Sequence, residues 1–226
     1  MNSLSICGSS LLHKNKDSTR IKMDLTYYQN SLNLKNNTSR ITSQGLIYSI
    51  PVVVHVIHEN GSENISDQQV LTAIDFLNKG FQAKAPYNSA ISNDIGIEFC
   101  LAKQDVAGLL TTGINHIESP YTNVIIEQNN TLLKSLIQWD TDKYLNIWIV
   151  KTICSSSAGC SIAGYSTMAD ARGSIDDGIV VESDYFGTTP ENTQVLIHEV
   201  GHYLNLYHTF ESGCSNDNCL LDGDKV

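Results

Sequence analysis

Residues 198–208 read His198-Glu199-Val200-Gly201-His202-Tyr203-Leu204-Asn205-Leu206-Tyr207-His208. Just upstream, Thr189-Pro190-Glu191 marks a helix start. Threonine can cap, proline suits the first helical position, and glutamate favours the positive end of the helix. A helix from about 190 to 204 follows. On it, His198 and His202 are four residues apart, so both imidazoles lie on one face, one turn apart, where they can meet one metal ion. Two histidines and a third ligand leave one tetrahedral position open for water, as hydrolytic zinc requires. Glu199 sits beside the first ligand, where a carboxylate can take the proton of a zinc-bound water and later deliver it to a leaving amine. The bland alternative is a surface helix with satisfied histidines. The cap, the spacing and the third histidine, His208, argue together against it.

His208 cannot reach the same ion along a continuous helix. Ten residues beyond His198 it would lie ~15 Å along the axis. The helix must stop between His202 and His208 and turn back. Asn205 is placed to do this, because asparagine is the best non-glycine residue for a left-handed conformation. A positive φ is expected there.

Outward from this segment the pattern is α/β. Ile50 to Ile57 (IPVVVHVI) is β-branched and nearly continuous, as in a strand buried on both faces. Val70, Ile74, Leu77 and Phe81 recur at helical spacing behind the cap candidates Ser66 and Asp67, which predicts a helix over about 67–82. Ile97 to Leu101 and Leu145 to Val150 read as strands, and Leu132 to Ile137 as a helix near 130–139. Gly178 to Glu182 reads as a short strand bordering a cleft, where an extended substrate could add as a further strand. Strands alternating with helices favour a sheet with helical cover. Residues 1–45 differ: they hold Lys14, Lys16, Arg20, Lys22, Lys35 and Arg40 and few periodic apolar runs, with Leu25 to Leu34 as a short helix candidate. They read as a leader or pro-segment, with a partly disordered terminus as the other reading. The domain is expected over 46–226.

The chain has 226 residues, 24 acidic and 14 basic, for a net charge of −10. That balance argues against a general nucleic-acid binder, which needs a basic face for phosphates. Charged residues make up 17% of the chain, below the roughly 25% of an average globular protein. Asn, Ser and Thr fill the gap, a surface of extracellular character. The longest apolar stretch, Leu46 to Ile57, falls short of the ~20 residues of a membrane span, so none is expected. Met1 to Cys7 lacks the basic start and apolar run of a signal peptide, so either the protein stays inside the cell or, as the histidine motif favours, a secreted protein has been trimmed.

The stretch HEVGHYLNLYHTF (His198 to Phe210) resembles the metzincin clan of zinc endopeptidases and, within it, the pappalysin family with its cytophagalysin-type members. Ile50 to His58 (IPVVVHVIH), followed by Ile65-Ser66-Asp67 and Asp75-Phe76-Leu77-Asn78, is similar to the opening of their catalytic domain. Cys219 to Val226 (CLLDGDKV) looks like the segment that follows the third histidine. The resemblance implies an α/β, zincin-type (α+β-like) fold: a twisted, mixed, mostly parallel sheet with a backing helix and an active-site helix. It implies zinc (Zn²⁺) on His198, His202 and His208 at the bottom of a cleft, Glu199 as general base, and hydrolysis of internal peptide bonds of protein or peptide substrates. Family members usually carry glycine where Asn205 stands. Their methionine-containing turn follows the third histidine, whereas Met1, Met23 and Met168 all precede it here. The lower C-terminal subdomain with the Met-turn is therefore expected to lie outside this chain, which reads as an N-terminal portion of a longer proenzyme.

In several metzincin proenzymes a leader cysteine ligates the catalytic zinc and keeps it latent, since thiolate is a strong zinc ligand. Cys7 is the candidate here, with the pro-segment as the enzyme's own inhibitor; an idle or disulfide-bonded thiol is the other reading. Cys154 and Cys160 form the preferred local disulfide. A cut at Arg40 would release the leader. Asp222 and Asp224 are candidate calcium (Ca²⁺) ligands, against a solvated acidic loop. His13, His55, His58 and His116 read as structural. Two further classes stay open: a non-catalytic zinc-binding or substrate-binding module with a latent, closed zinc site, and another metzincin family with the same helix.

Overall fold

The IPVVVHVI run forms the axis of the computed structural model, which describes residues 6–7, 39–42 and 45–208. The first strands are β1 (Ile6–Cys7), β2 (Ser39–Thr42) and β3 (Gly45–His58). Helix α1 (Asp67–Phe81) follows, capped by the Ser66 side chain, which accepts from the Gln69 backbone N–H. Next come β4 (Ile97–Leu101), β5 (Ile114–Glu118) and β6 (Asn123–Ile125). Helix α2 (Ile126–Leu136) leads to β7 (Leu145–Val150), β8 (Thr152–Cys154), β9 (Ile162–Ser166) and β10 (Ile179–Glu182). Helix α3 (Pro190–Tyr203) closes the order.

The main sheet runs β1-β9-β10-β7-β3, and β3 also pairs with β2, β4 and β5, the last two along the edge opposite β7. Pairings of β3 with β4, β5 and β7, of β7 with β10, and of β1 with β9 are parallel. Only β9–β10 and β2–β3 are antiparallel. The sheet is thus mixed and mostly parallel. The β2–β3 pair joins Arg40 to Ile47, so sheet pairing spans the junction expected near residue 45.

A central parallel strand must be apolar on both faces, because each face carries a layer. Val52, Val54 and Val56 meet Ile147, Ile149, Ile179 and Val181 on one face, under α1 and α3. The opposite face presents Trp148, Val150, Tyr165 and Val180 to Leu133 of α2 and to Val124 and Ile153 of the small β6–β8 pair. So α1 is the backing helix and α3 the helix that carries the histidine motif. Cys154 and Cys160 are joined in a disulfide across the Ser-rich loop.

Two sequence expectations need correction. Helix α2 begins at Ile126 rather than near 130 and ends at Leu136. Beyond it the chain turns extended, and Trp139 packs with Val53 and Ala102 in a separate cluster; the apolar residues that looked helical at 137–139 serve that cluster. The strand over 178–182 has no edge to which a substrate strand could add. β10 is flanked by β7 and β9, so both of its edges are spent. The strand next to the sheet's margin is β9, which the sequence pattern did not reveal. The helix candidate Leu25 to Leu34, and Cys219 to Val226 with Asp222 and Asp224, lie outside the described residues. Among the described residues no helix is long and apolar enough to cross a membrane.

Candidate metal centre

The site is built by how α3 begins and ends. At its start the Thr189 hydroxyl accepts from the Asn192 backbone N–H at 3.1 Å, and Pro190 fills the first helical position. At its end Asn205 takes φ = 73°. The Asn205 N–H donates to the His202 carbonyl at 2.8 Å and the Leu206 N–H to the Gly201 carbonyl at 2.9 Å. These are the two bonds of a Schellman stop, which satisfies carbonyls that the helix would leave orphaned. The chain then turns back and delivers His208.

The result is a triangle of ring nitrogens. His198 Nε2 and His202 Nε2 are 2.9 Å apart, His202 and His208 Nε2 are 3.1 Å apart, and His198 and His208 Nε2 are 3.2 Å apart. Three nitrogens bound at about 2.0–2.1 Å to one tetrahedral ion would stand roughly 3.3 Å from each other, so the triangle fits a shared ion. Three acceptor nitrogens converging on one point repel each other unless a cation or protons intervene, and each pair can share at most one proton. Among the described residues this is the one group of three or more potential ligands close enough to hold a metal ion.

The ring of His202 is also oriented from behind. Its Nδ1 lies 2.7 Å from the Leu206 carbonyl oxygen. A carbonyl only accepts, so Nδ1 carries the hydrogen and Nε2 presents its lone pair to the triangle. The Schellman turn thus does two jobs: it brings in His208 and places the carbonyl that fixes the tautomer of His202. His202 and His208 are 4% and 8% exposed, whereas His198 stands at the surface. Partial desolvation, and then the neighbouring His208, hold the His198 pKa below its usual value, which favours the neutral imidazole a metal needs.

Glu199 follows the first histidine and is turned inward, 1% exposed. It packs against β9 at Gly164. On that same strand the backbone of Cys7 in β1 is level with Gly164. The other described histidines have protein partners elsewhere, and His13 lies outside the described residues. His55 lies between Asn146 Oδ1 at 3.0 Å and Asn115 Nδ2 at 3.2 Å. His116 reaches Asn64 Oδ1 and Asp67 Oδ1, and His58 Nδ1 accepts from the Asn60 N–H.

The solved structure of mature mirolysin from Tannerella forsythia in complex with a cleaved peptide is similar to this chain: 31% identity, TM-score 0.62, covering 75% of this chain and 68% of that one. The chain belongs to the pappalysin family. The family model described as pregnancy-associated plasma protein-A, a peptidase family, matches residues 127–226. A promirolysin mutant from the same organism gives 27% identity and a TM-score of 0.66, over 92% of this chain and 71% of that one. An extracellular metalloprotease of Pyricularia oryzae is 30% identical over 104 residues, 42% of this chain and 35% of the relative. The chain therefore spans only part of that curated relative's length. β9 meets α3 where Gly164 faces Val195 and Glu199, and β9 is the strand that reading the sequence missed. Its signal is faint: five residues, all buried, interrupted by Gly164.

Proposed function

We propose that this pappalysin-family chain carries the zinc-binding part of a secreted endopeptidase that hydrolyses internal peptide bonds of proteins. The observation that carries the reading is the triangle of His198, His202 and His208 nitrogens, all within 3.2 Å, on the helix that also holds buried Glu199. The three Nε2 atoms would hold Zn²⁺, which when bound supplies a Lewis acid for the scissile carbonyl and acidifies a water. Glu199 takes the proton of the attacking water on a carboxylate oxygen and passes it to the nitrogen of the leaving amine. The Leu206 carbonyl keeps the His202 ring from rotating while this happens. An extended peptide would add its backbone along β9, in place of the strand edge expected at 178–182.

Residues 1–45 act in this reading as the pro-segment. The parallel pairing of β1 with β9 supports it, because Ile6 and Cys7 lie along the strand proposed to receive substrate. Cys7 is level with Gly164, which packs on Glu199, so its thiolate is our candidate for latency ligand. A cut near Arg40 would remove it. The similarity to both a pro-form and a peptide-bound mature mirolysin is consistent with such a cycle, and the extracellular name of the fungal relative supports secretion. Asp222 and Asp224 remain our candidates for a calcium site. A second reading keeps Cys7 as a permanent fourth ligand, which would make this a closed, non-catalytic zinc module; the β1–β9 pairing is what favours it.

The deciding experiment measures zinc content and casein cleavage in the wild-type chain and in Glu199→Gln, each cut near Arg40 to release the leader. Retained zinc with cleavage reduced about 10²–10⁴-fold is expected. Wild-type cleavage by Glu199→Gln would overturn the assigned roles. Loss of zinc together with an absence of cleavage once residues 1–45 are removed would favour the closed module, whose fourth ligand is Cys7.

A further inference from the structure

Gly164 sits in the middle of β9, where a glycine is costly. It offers the strand no side chain to pack and loses more conformational entropy on folding than any other residue. Its backbone is not in the left-handed region, so conformation does not require it. Space does. A Cβ at this position would stand 3.0 Å from Val195 Cγ1, 3.1 Å from Glu199 Cγ and 3.2 Å from the Val180 carbonyl oxygen. Val195 and Glu199 are four residues apart and so share one face of α3. The third contact is backbone of β10, fixed on both sides by the sheet. A methyl group here has little freedom to move towards β10, so the displacement falls on the α3 face, at the carbon that carries the Glu199 carboxylate. Gly201, between the two helical histidines, differs: its Cβ would meet only Leu206 Cδ1, at an ordinary 3.7 Å.

The geometry points to Gly164 as a positioning residue for Glu199: its missing side chain is the slot into which the base's own methylene packs, and that slot sets where the carboxylate stands relative to the three histidines. This rests on the proposed role of Glu199 as general base. It separates two properties that usually change together. Filling the slot leaves the histidine ligands untouched but misplaces the proton acceptor by a few tenths of an ångström. Misplacing a catalytic group by 1 Å can cost about 10²-fold in rate, so a smaller shift should cost about tenfold.

The test compares wild type, Glu199→Gln and Gly164→Ala, each made as the full-length chain and then cut near Arg40, with labelled casein as substrate and bound zinc measured alongside. The expected result for Gly164→Ala is kcat reduced about tenfold, KM within about twofold of wild type, and undiminished zinc. If Gly164→Ala folds poorly, the same substitution is made in a Val195→Ala background, which removes the 3.0 Å contact, and is compared with Val195→Ala alone; a tenfold lower kcat is again expected. An active wild type, an inactive Glu199→Gln and a Gly164→Ala enzyme with wild-type kcat would overturn this inference alone. So would a loss of kcat matched by an equal loss of zinc, since Gly164 would then act on the ligands. A cut wild type that does not cleave, or an active Glu199→Gln, overturns the proposed function and this inference with it.

Discussion

His202 and His55 make an instructive pair. Both are buried, His55 at 0% and His202 at 4% exposure, and both have ring nitrogens held by the protein. Around His55 the partners are a complementary set: Asn146 Oδ1 faces Nε2 and Asn115 Nδ2 faces Nδ1. One nitrogen donates, the other accepts, and the neutral ring is complete. Around His202 the Leu206 carbonyl satisfies Nδ1, but Nε2 faces two more ring nitrogens. Burial alone therefore does not distinguish a metal ligand from a core histidine. Lone pairs gathered at one point, with the opposite nitrogen already committed, do.

The contrast breaks most sharply under alanine substitution. His202→Ala should weaken zinc binding at least about 10³-fold in a chelator competition, because it removes a proposed ligand whose ring the Leu206 carbonyl orients. His55→Ala should retain full zinc stoichiometry and instead lower stability in urea by about 2–4 kcal/mol, through a cavity and the lost hydrogen bonds to Asn146 and Asn115. Equal zinc loss in the two variants would erase the distinction.

Acid titration sharpens the same contrast. Burial lowers the His55 pKa from 6.5 to about 4, partly countered by the bond to Asn146. The unfolded chain therefore binds a proton at this site before the folded one does. The stability tied to neutral His55 is fully present above about pH 6.5 and falls as pH drops from there towards about 4, by about 3 kcal/mol in all. Unfolding measured between pH 7 and 4 should show this slope, and His55→Gln should flatten it.

Asn205 gives a smaller effect. Asn205→Val puts a β-branched residue at φ = 73°, where the cost is about 1–2 kcal/mol. It should also loosen zinc, since both His208 and the Leu206 carbonyl depend on this turn. Asn205→Gly should bind zinc within about twofold of wild type. Equal zinc affinity in the valine and glycine variants would show that the turn does not govern the site. Smallest of all, Gly201→Ala should change stability by no more than about 1 kcal/mol, in the stabilising direction, because the helix gains propensity and the new Cβ meets only an ordinary contact. Calorimetry would check it.

Much of the site was legible because it is local. The His198–His202 spacing, the Thr189 cap and the need for a turn before His208 all follow from helix geometry within 20 residues, and a positive φ at Asn205 could be expected from residue chemistry alone. The central strand was equally legible, since only a strand covered on both faces tolerates IPVVVHVI. The misplaced bounds of α2 show the limit of periodicity: Ile137 stands at helical spacing from Leu133, but it packs with Trp139 against Val53 and Ala102, far away in the chain.

By itself, then, the sequence determined the helix that bears the histidines, the reversal that closes the triangle, and the acidic, charge-poor surface. Tertiary structure alone decided which strand lies against that helix. β10 and β9 are both short and buried, and nothing within either segment says which neighbours it will pair with. Pairing is settled by backbone hydrogen bonds to strands elsewhere in the chain, and that order put β10 inside the sheet and left β9, with Gly164, against Glu199.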